Sequence, residues 1–180
     1  MPKYIAFLRA INVGGHTVKM DVLSKLFEEL KFSKVETFIA SGNVIFESPV
    51  KSAKSLEPKI EQHLRAALGY EVATFLRTPA ELAAVAAYKP FSAVDLTAPT
   101  NNLYIGFTSQ EPSKEAKQKL QTFANGVNDF HVHNCEIYWL VRKTTSSQSE
   151  FSGAMLEKTL GLKTTMRNRT TVKKMADKYC

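Results

Sequence analysis

The sequence is poor in the residues that announce a chemistry. Only two of its 180 residues are cysteine, Cys135 and Cys180, and they form no CxxC or other ligand spacing. With one of them at the last position, no structural disulfide is expected, and a reducing compartment is the default. No apolar run approaches the roughly 20 residues of a membrane span. The opening MPKYIAFLRA has too short an apolar stretch for a signal peptide. These absences predict a cytoplasmic chain with no membrane partner. The phosphate-loop pattern GxxxxGK[ST], the dinucleotide pattern GxGxxG and the nucleophile-elbow spacing are all missing. No two carboxylates stand out as an acid–base couple. Asp21 and Glu81 read as first-turn acids that complement a helix dipole. The sequence therefore assigns no catalytic residue, and no cofactor is expected.

What is present is an ordinary globular composition, 44% hydrophobic and 23% charged, long enough for one large domain or two small ones. The net charge of +7 is concentrated at the ends. Residues 1–20 carry Lys3, Arg9 and Lys19 with no acid. Residues 161–180 carry Lys163, Arg167, Arg169, Lys173, Lys174 and Lys178 against Asp177 alone. Such a basic tail is commonly a solvated face. If the fold brings the ends together, it becomes a positive site for an anion.

Hydrophobic periodicity predicts a repeated order of elements. Residues 4–8 form a short apolar run, followed by the loop INVGGHTV and a helix with Met20, Leu23, Leu26, Phe27 and Leu30 at helical spacing. VETFIA and NVIFES follow as strands joined by a tight hairpin at Ser41-Gly42-Asn43, where Gly42 and Asn43 tolerate positive φ. A helix runs through Leu56, Ile60, Leu64 and Leu68 and stops at Gly69; EVATFLR is a strand. Thr78, Pro79 and Glu81 then make a capping box for a third helix. YKPFSAVDLTAPT, with two prolines and no helical period, reads as a structureless connection. Beyond it the order recurs: LYIGF, a helix over 113–124, the hairpin NDFHVHN and EIYWLVR, a helix from about Ser152 to Gly161, the short strand KTTMR, and a last helix capped by Thr170 or Thr171.

Both halves thus spell βαββαβ plus a helix, the order of a ferredoxin-like plait. The expected class is α+β, with one plait subdomain over 1–88, a connector over 89–100 and a second plait over 101–180 that carries the terminal helix. The central strands are apolar on both sides, so both faces of each sheet need cover, and each half could shield the other. FLRTPAEL and TMRNRTTV echo one another as strand, Arg, cap, helix.

LRAINVGG with Lys19-Met20, VETFIASGNVIFES, FLRTPAEL and TTMRNRTTVKKMA together resemble the bacterial domain-of-unknown-function family numbered 1697. The resemblance spans almost the whole chain. It implies paired plait-like α+β subdomains and supplies no established activity, so no catalytic residue is carried over. Two positions depart from the family pattern: Ala10 stands in place of Gly and Arg169 in place of Trp. The second exchange removes a stacking surface and adds a cation.

Two constellations suit an anion. Arg9, Asn12, Gly14 and Gly15 lie between the first strand and first helix, where glycines let backbone N–H groups approach a ligand. Arg167, Asn168 and Thr171 lie around the start of the last helix, where arginine forks, an amide and a hydroxyl converge. The predicted partner is a small phosphate- or carboxylate-bearing ligand held by these seven residues in a cleft between the halves. Two other classes remain open: an RNA- or DNA-binding module using the basic C-terminal helix, and a scaffold or oligomer subunit without a ligand. SGNVIF lacks the basic residue and paired aromatics of an RNA-recognition strand. Ser41 has no identifiable base and is not read as a nucleophile. His131, His133 and Cys135 alternate, but Asn134 begins the turn and takes Cys135 off that face, so no metal is expected. Phe130 and Val132 are the expected buried partners there, with the histidines in solvent.

Overall fold

The computed structural model describes residues 1–12, 14–39, 42–143 and 150–180. Its elements are β1 (Lys3–Leu8), α1 (Met20–Glu29), β2 (Ser33–Thr37), β3 (Asn43–Glu47), α2 (Ala53–Leu68), β4 (Thr74–Arg77), α3 (Pro79–Ala87), α4 (Ala93–Thr97), β5 (Asn101–Phe107), α5 (Lys114–Gln121), β6 (Asn128–His133), β7 (Glu136–Arg142), α6 (Gly153–Leu160), β8 (Thr165–Asn168) and α7 (Arg169–Tyr179). The class is α+β, with two four-stranded antiparallel sheets ordered β2-β3-β1-β4 and β6-β7-β5-β8. The chain divides into two compact units, Met1–Ala83 with Met175–Cys180, and Ala84–Lys174. No helix among the described residues is long and apolar enough to cross a membrane.

In the first unit, Leu23, Leu26 and Phe27 of α1 and Leu56, Ile60 and Leu64 of α2 pack onto Tyr4, Ala6, Leu8, Val44, Phe46 and Leu76 of the sheet. The opposite face is buried as well, since Ile5, Phe7, Ile45 and Phe75 are inaccessible to solvent. The last turn of α7 belongs to this unit: the Lys178 ammonium and the Tyr179 hydroxyl both donate to the Glu36 carboxylate on β2. In the second unit, Ala116 and Leu120 of α5 and Leu156 and Leu160 of α6 pack with Phe130, Ile137, Trp139 and Val141. The Trp139 indole N–H donates to the buried Asn128 side chain at 2.9 Å, as a buried indole requires.

The two units repeat in detail. Ile5 pairs in register with Arg77, and Ile105 with Arg167. Each arginine is buried, and each sends Nη1 to the carbonyl of the residue before it at 2.8 Å. Thr74 N–H donates to the Glu61 carboxylate and Thr164 N–H to the Glu157 carboxylate, both at 2.8 Å. The echo between FLRTPAEL and TMRNRTTV is therefore carried by equivalent side chains in equivalent contacts.

The Thr78 capping box forms as expected: Thr78 N–H donates to Glu81 at 2.7 Å and Glu81 N–H to the Thr78 hydroxyl at 3.3 Å. Three local expectations are corrected. The connector contains helix α4, held by the Ser92 hydroxyl accepting from Asp95 N–H at 3.1 Å rather than by any apolar period. Helix α7 starts at Arg169, because sheet pairing runs on to Asn168 opposite Tyr104 and leaves no separate cap position. Thr170 and Thr171 thus lie inside the first turn. Asn43 is no turn residue but the fully buried start of β3, its amide donating to the Phe38 carbonyl at 3.0 Å. The link between β2 and β3 is correspondingly longer than a tight hairpin, and Ser41 falls outside the described residues.

Candidate functional site

Arg9, Asn12, Gly14 and Gly15 belong to the first unit, on the segment leaving β1. Arg9 N–H donates to the Ala73 carbonyl at 2.8 Å, and the Tyr70 hydroxyl holds the Ile11 carbonyl at 2.6 Å. Asn12 Oδ1 accepts from Val18 N–H at 2.9 Å and so closes the loop on itself. Gly14 and Gly15 have φ of +57° and +82°, are exposed, and have open space where a Cβ would stand. Gly42 meets this loop. Leu8 N–H donates to the Gly42 carbonyl at 2.8 Å, and a Cβ on Gly42 would lie 2.8 Å from Ile11 Cγ2.

Ala10 has φ of +55°, in the left-handed region that costs an L-residue about 1–2 kcal/mol. Ala10→Gly should therefore raise stability by about 0.5–1 kcal/mol, the relieved strain less the extra chain entropy of glycine. It would appear as a higher urea midpoint with an unchanged slope.

Arg167, Asn168 and Thr171 belong to the second unit. Arg167 is 7% exposed, donates Nη1 to the Thr165 hydroxyl at 2.8 Å, and has its pKa pushed down to about 10 by burial. It stays protonated at neutral pH. Thr171 is half-buried in the first turn of α7, while Asn168 is exposed.

Asn168 opens onto a polar pocket of about 210 Å³ whose wall also carries Asp95, Asn101, Asn102, Arg169 and Thr170. Asp95 is held by the planar fork of Arg142, with Nε–Oδ1 at 2.9 Å and Nη2–Oδ2 at 3.0 Å, and Arg142 also reaches Asp129 at 3.3 Å. The Arg142 guanidinium, and after it the Ser92 hydroxyl, hold the Asp95 carboxyl below the usual carboxylate range. The Asn101 amide fixes the Asp95 carbonyl at 3.0 Å. Arg169 makes one long contact, Nη1 to the Leu96 carbonyl at 3.4 Å. Among the described residues it pairs with no carboxylate, and the side chains of Asn102, Asn168 and Thr170 donate to nothing.

Sequence reasoning did not find Asp95 or Arg142 as site residues. Asp95 sits in the segment read as structureless, although Ser92-x-x-Asp95 is itself a capping signal. Arg142 was one strand-end cation among many. Arg169 was noticed as a departure from the family but left out of the ligand set.

Elsewhere in this unit, His131 is not in solvent as expected. It is half-buried and shares a 2.8 Å hydrogen bond with the Tyr88 hydroxyl, while the exposed His133 stacks on the Tyr88 ring at 4.1 Å. Burial first, then the neighbouring His133 charge, lowers the His131 pKa. Among the described residues no three His, Cys, Asp or Glu side chains group to hold a metal ion.

A solved structure, that of a conserved bacterial protein from Streptococcus pneumoniae, is similar over 99% of both chains at 22% identity with a TM-score of 0.74, a likeness of fold alone. The comparison with curated proteins found no match. The family profile described as protein of unknown function (DUF1697) matches residues 1–138, which ends before the TTMRNRTTVKKMA segment. The chain belongs to the DUF1697 family.

Proposed function

We propose that this protein binds a small anionic ligand, carrying carboxylate or phosphate, in the polar pocket where β8 passes into α7. One observation carries the reading. Arg169 lies on a concave wall and, among the described residues, ion-pairs with no carboxylate, beside the side chains of Asn102, Asn168 and Thr170, which donate to no described residue. Guanidinium groups bind carboxylate and phosphate through two parallel donors. At about 210 Å³ the pocket is smaller than the roughly 300–1,000 Å³ typical of drug-sized ligands. Thr171 supports the same helix start. Gly14 and Gly15 are exposed with open space around them, which supports keeping Arg9, Asn12, Gly14 and Gly15 as a second candidate for an anion.

The strand order within each sheet, with the first and third strands central, supports reading each unit as a ferredoxin-like plait. Neither cysteine is in a disulfide, which favours a reducing compartment as its place. A nucleic-acid module has less in its favour. Lys173 and Lys174 are exposed on α7, but the central strands are buried on both faces, so a sheet platform for stacked bases is lacking.

The test is calorimetric titration of inorganic phosphate and of small carboxylates into the wild-type chain and Arg169→Gln. The substitution should weaken binding roughly 10- to 150-fold, the equivalent of about 1.5–3 kcal/mol for one charge-assisted contact. Equal affinity in both proteins would remove Arg169 from the site.

A further inference from the structure

The loop between α5 and β6 carries the only Asn-Gly step of the chain, Asn125-Gly126. Both residues are exposed. Asn125 Oδ1 accepts from Val127 N–H at 2.8 Å and from Asn128 N–H at 2.7 Å, which folds the side chain forward over the Asn125–Gly126 peptide. Two donors on one oxygen draw charge from the amide carbon and hold the negative charge that forms on Oδ1 when that carbon is attacked. The Asn125 Nδ2 group and the Gly126 N–H each bond to no described residue, so the leaving group and the nearest nucleophile are both unengaged. Gly126 has no side chain to hinder its nitrogen, and nothing lies within 4 Å of where a Cβ would stand.

We propose that Asn125 is a site of spontaneous covalent modification, its amide converted through a cyclic imide to aspartate and isoaspartate in the folded chain. The Gly126 nitrogen gives up its proton and bonds to Asn125 Cγ. The Cγ–Nδ2 bond breaks, and the departing nitrogen leaves as ammonia. Water then opens the five-membered imide at either carbonyl, and no other reagent is needed. Opening at the backbone carbonyl gives isoaspartate, whose main chain runs through the former side chain and is one carbon longer. That extra carbon falls where the loop is tied at both ends. Asn125 N–H donates to the Asn128 carbonyl at 2.8 Å, and the Val127 carbonyl accepts from Arg142 N–H at 2.7 Å. Asn128 is buried, and its side-chain oxygen holds the Trp139 indole at 2.9 Å. Isoaspartate at position 125 therefore loosens the bond between Asn128 and Trp139.

The experiment incubates the full chain, folded and in urea, at mildly alkaline pH. Peptide mass spectrometry then maps it, with fragmentation that separates aspartate from isoaspartate. In the folded chain Asn125 should convert about tenfold or more faster than any other asparagine, and faster as pH rises, because the attacking amide must first lose its proton. Gly126→Ala should slow the conversion about tenfold, since the added methyl hinders ring closure. The methyl meets nothing within 4 Å, so the fold is kept. An Asn125 that keeps its amide in the folded chain and loses it in urea overturns the proposal, and so does equal conversion in Gly126→Ala. The wild-type comparison decides the matter even without the variant. The sole tryptophan, Trp139, reports the consequence. Its emission should move to longer wavelength in the isoaspartyl product, and an unchanged spectrum would overturn the coupling to Asn128.

Discussion

Phe46→Ala should cost about 3–5 kcal/mol of stability, the usual range for emptying a buried aromatic site. Phe46 is fully buried on β3. Its ring stacks on Phe32 at 4.4 Å, meets Phe27 edge-on at 5.5 Å and lies 5.7 Å from Tyr4. Those three rings come from a strand and from the two ends of the α1–β2 connection. They cannot close over the cavity without moving the backbone, so little of the loss is recovered by relaxation. Urea unfolding followed by far-UV circular dichroism is the measurement. Tryptophan fluorescence would mislead here, because the sole tryptophan, Trp139, lies in the other unit. A loss below about 1 kcal/mol would mean that the ring is not close-packed at all.

Gly42→Ala should cost about 1.5–4 kcal/mol, for two reasons that add. At φ of +77° an L-residue pays about 1–2 kcal/mol of backbone strain, or about 0.5–1 kcal/mol net of glycine's extra chain entropy. The new Cβ would also stand 2.8 Å from Ile11 Cγ2 and 3.1 Å from Leu8 Cβ, an overpacking that costs a further 1–3 kcal/mol or so. Gly14→Ala separates the two terms. Its φ is also positive, but nothing lies within 4 Å of the added atom. It should lose only that net strain, about 0.5–1 kcal/mol. If the two variants lose the same amount by urea titration, the close approach of Gly42 to Ile11 is not a feature of the folded protein. Ile11 adjoins Asn12 and its carbonyl anchors Tyr70, so Gly42→Ala should also disturb the glycine loop beyond it.

Most of the architecture was readable in the sequence because its signals are local. Amphipathic spacing marks α1 and α2 through Leu23, Leu26, Phe27 and Leu56, Ile60, Leu64, and Gly69 and Gly161 end their helices in left-handed conformation. The Thr78–Glu81 box is likewise a four-residue pattern. The misses are of two kinds. Helix α4 has five residues, too few to show a period, and rests on one serine cap. Asn43 and the start of α7 are decided by sheet register, which pairs residues distant in sequence. The site was harder still. Asp95 and Arg142 are 47 residues apart and become a bidentate pair only in the folded chain. Arg169 stands out for having no carboxylate partner among the described residues, and no linear pattern encodes that.

The carboxylates of α2 and α6 have a further effect on the sheet borders. β4 and β8 are outermost strands, and an outermost strand offers its free amides as a template on which other molecules can polymerise. Here two of the β4 amides and the one just ahead of β8 are satisfied from within. Glu61 and Glu57 take the N–H groups of Thr74 and Leu76, and Glu157 takes that of Thr164. An intruding strand would have to evict anionic side chains before it could add a single rung, so the molecule carries its own guard against fibril growth along those two margins.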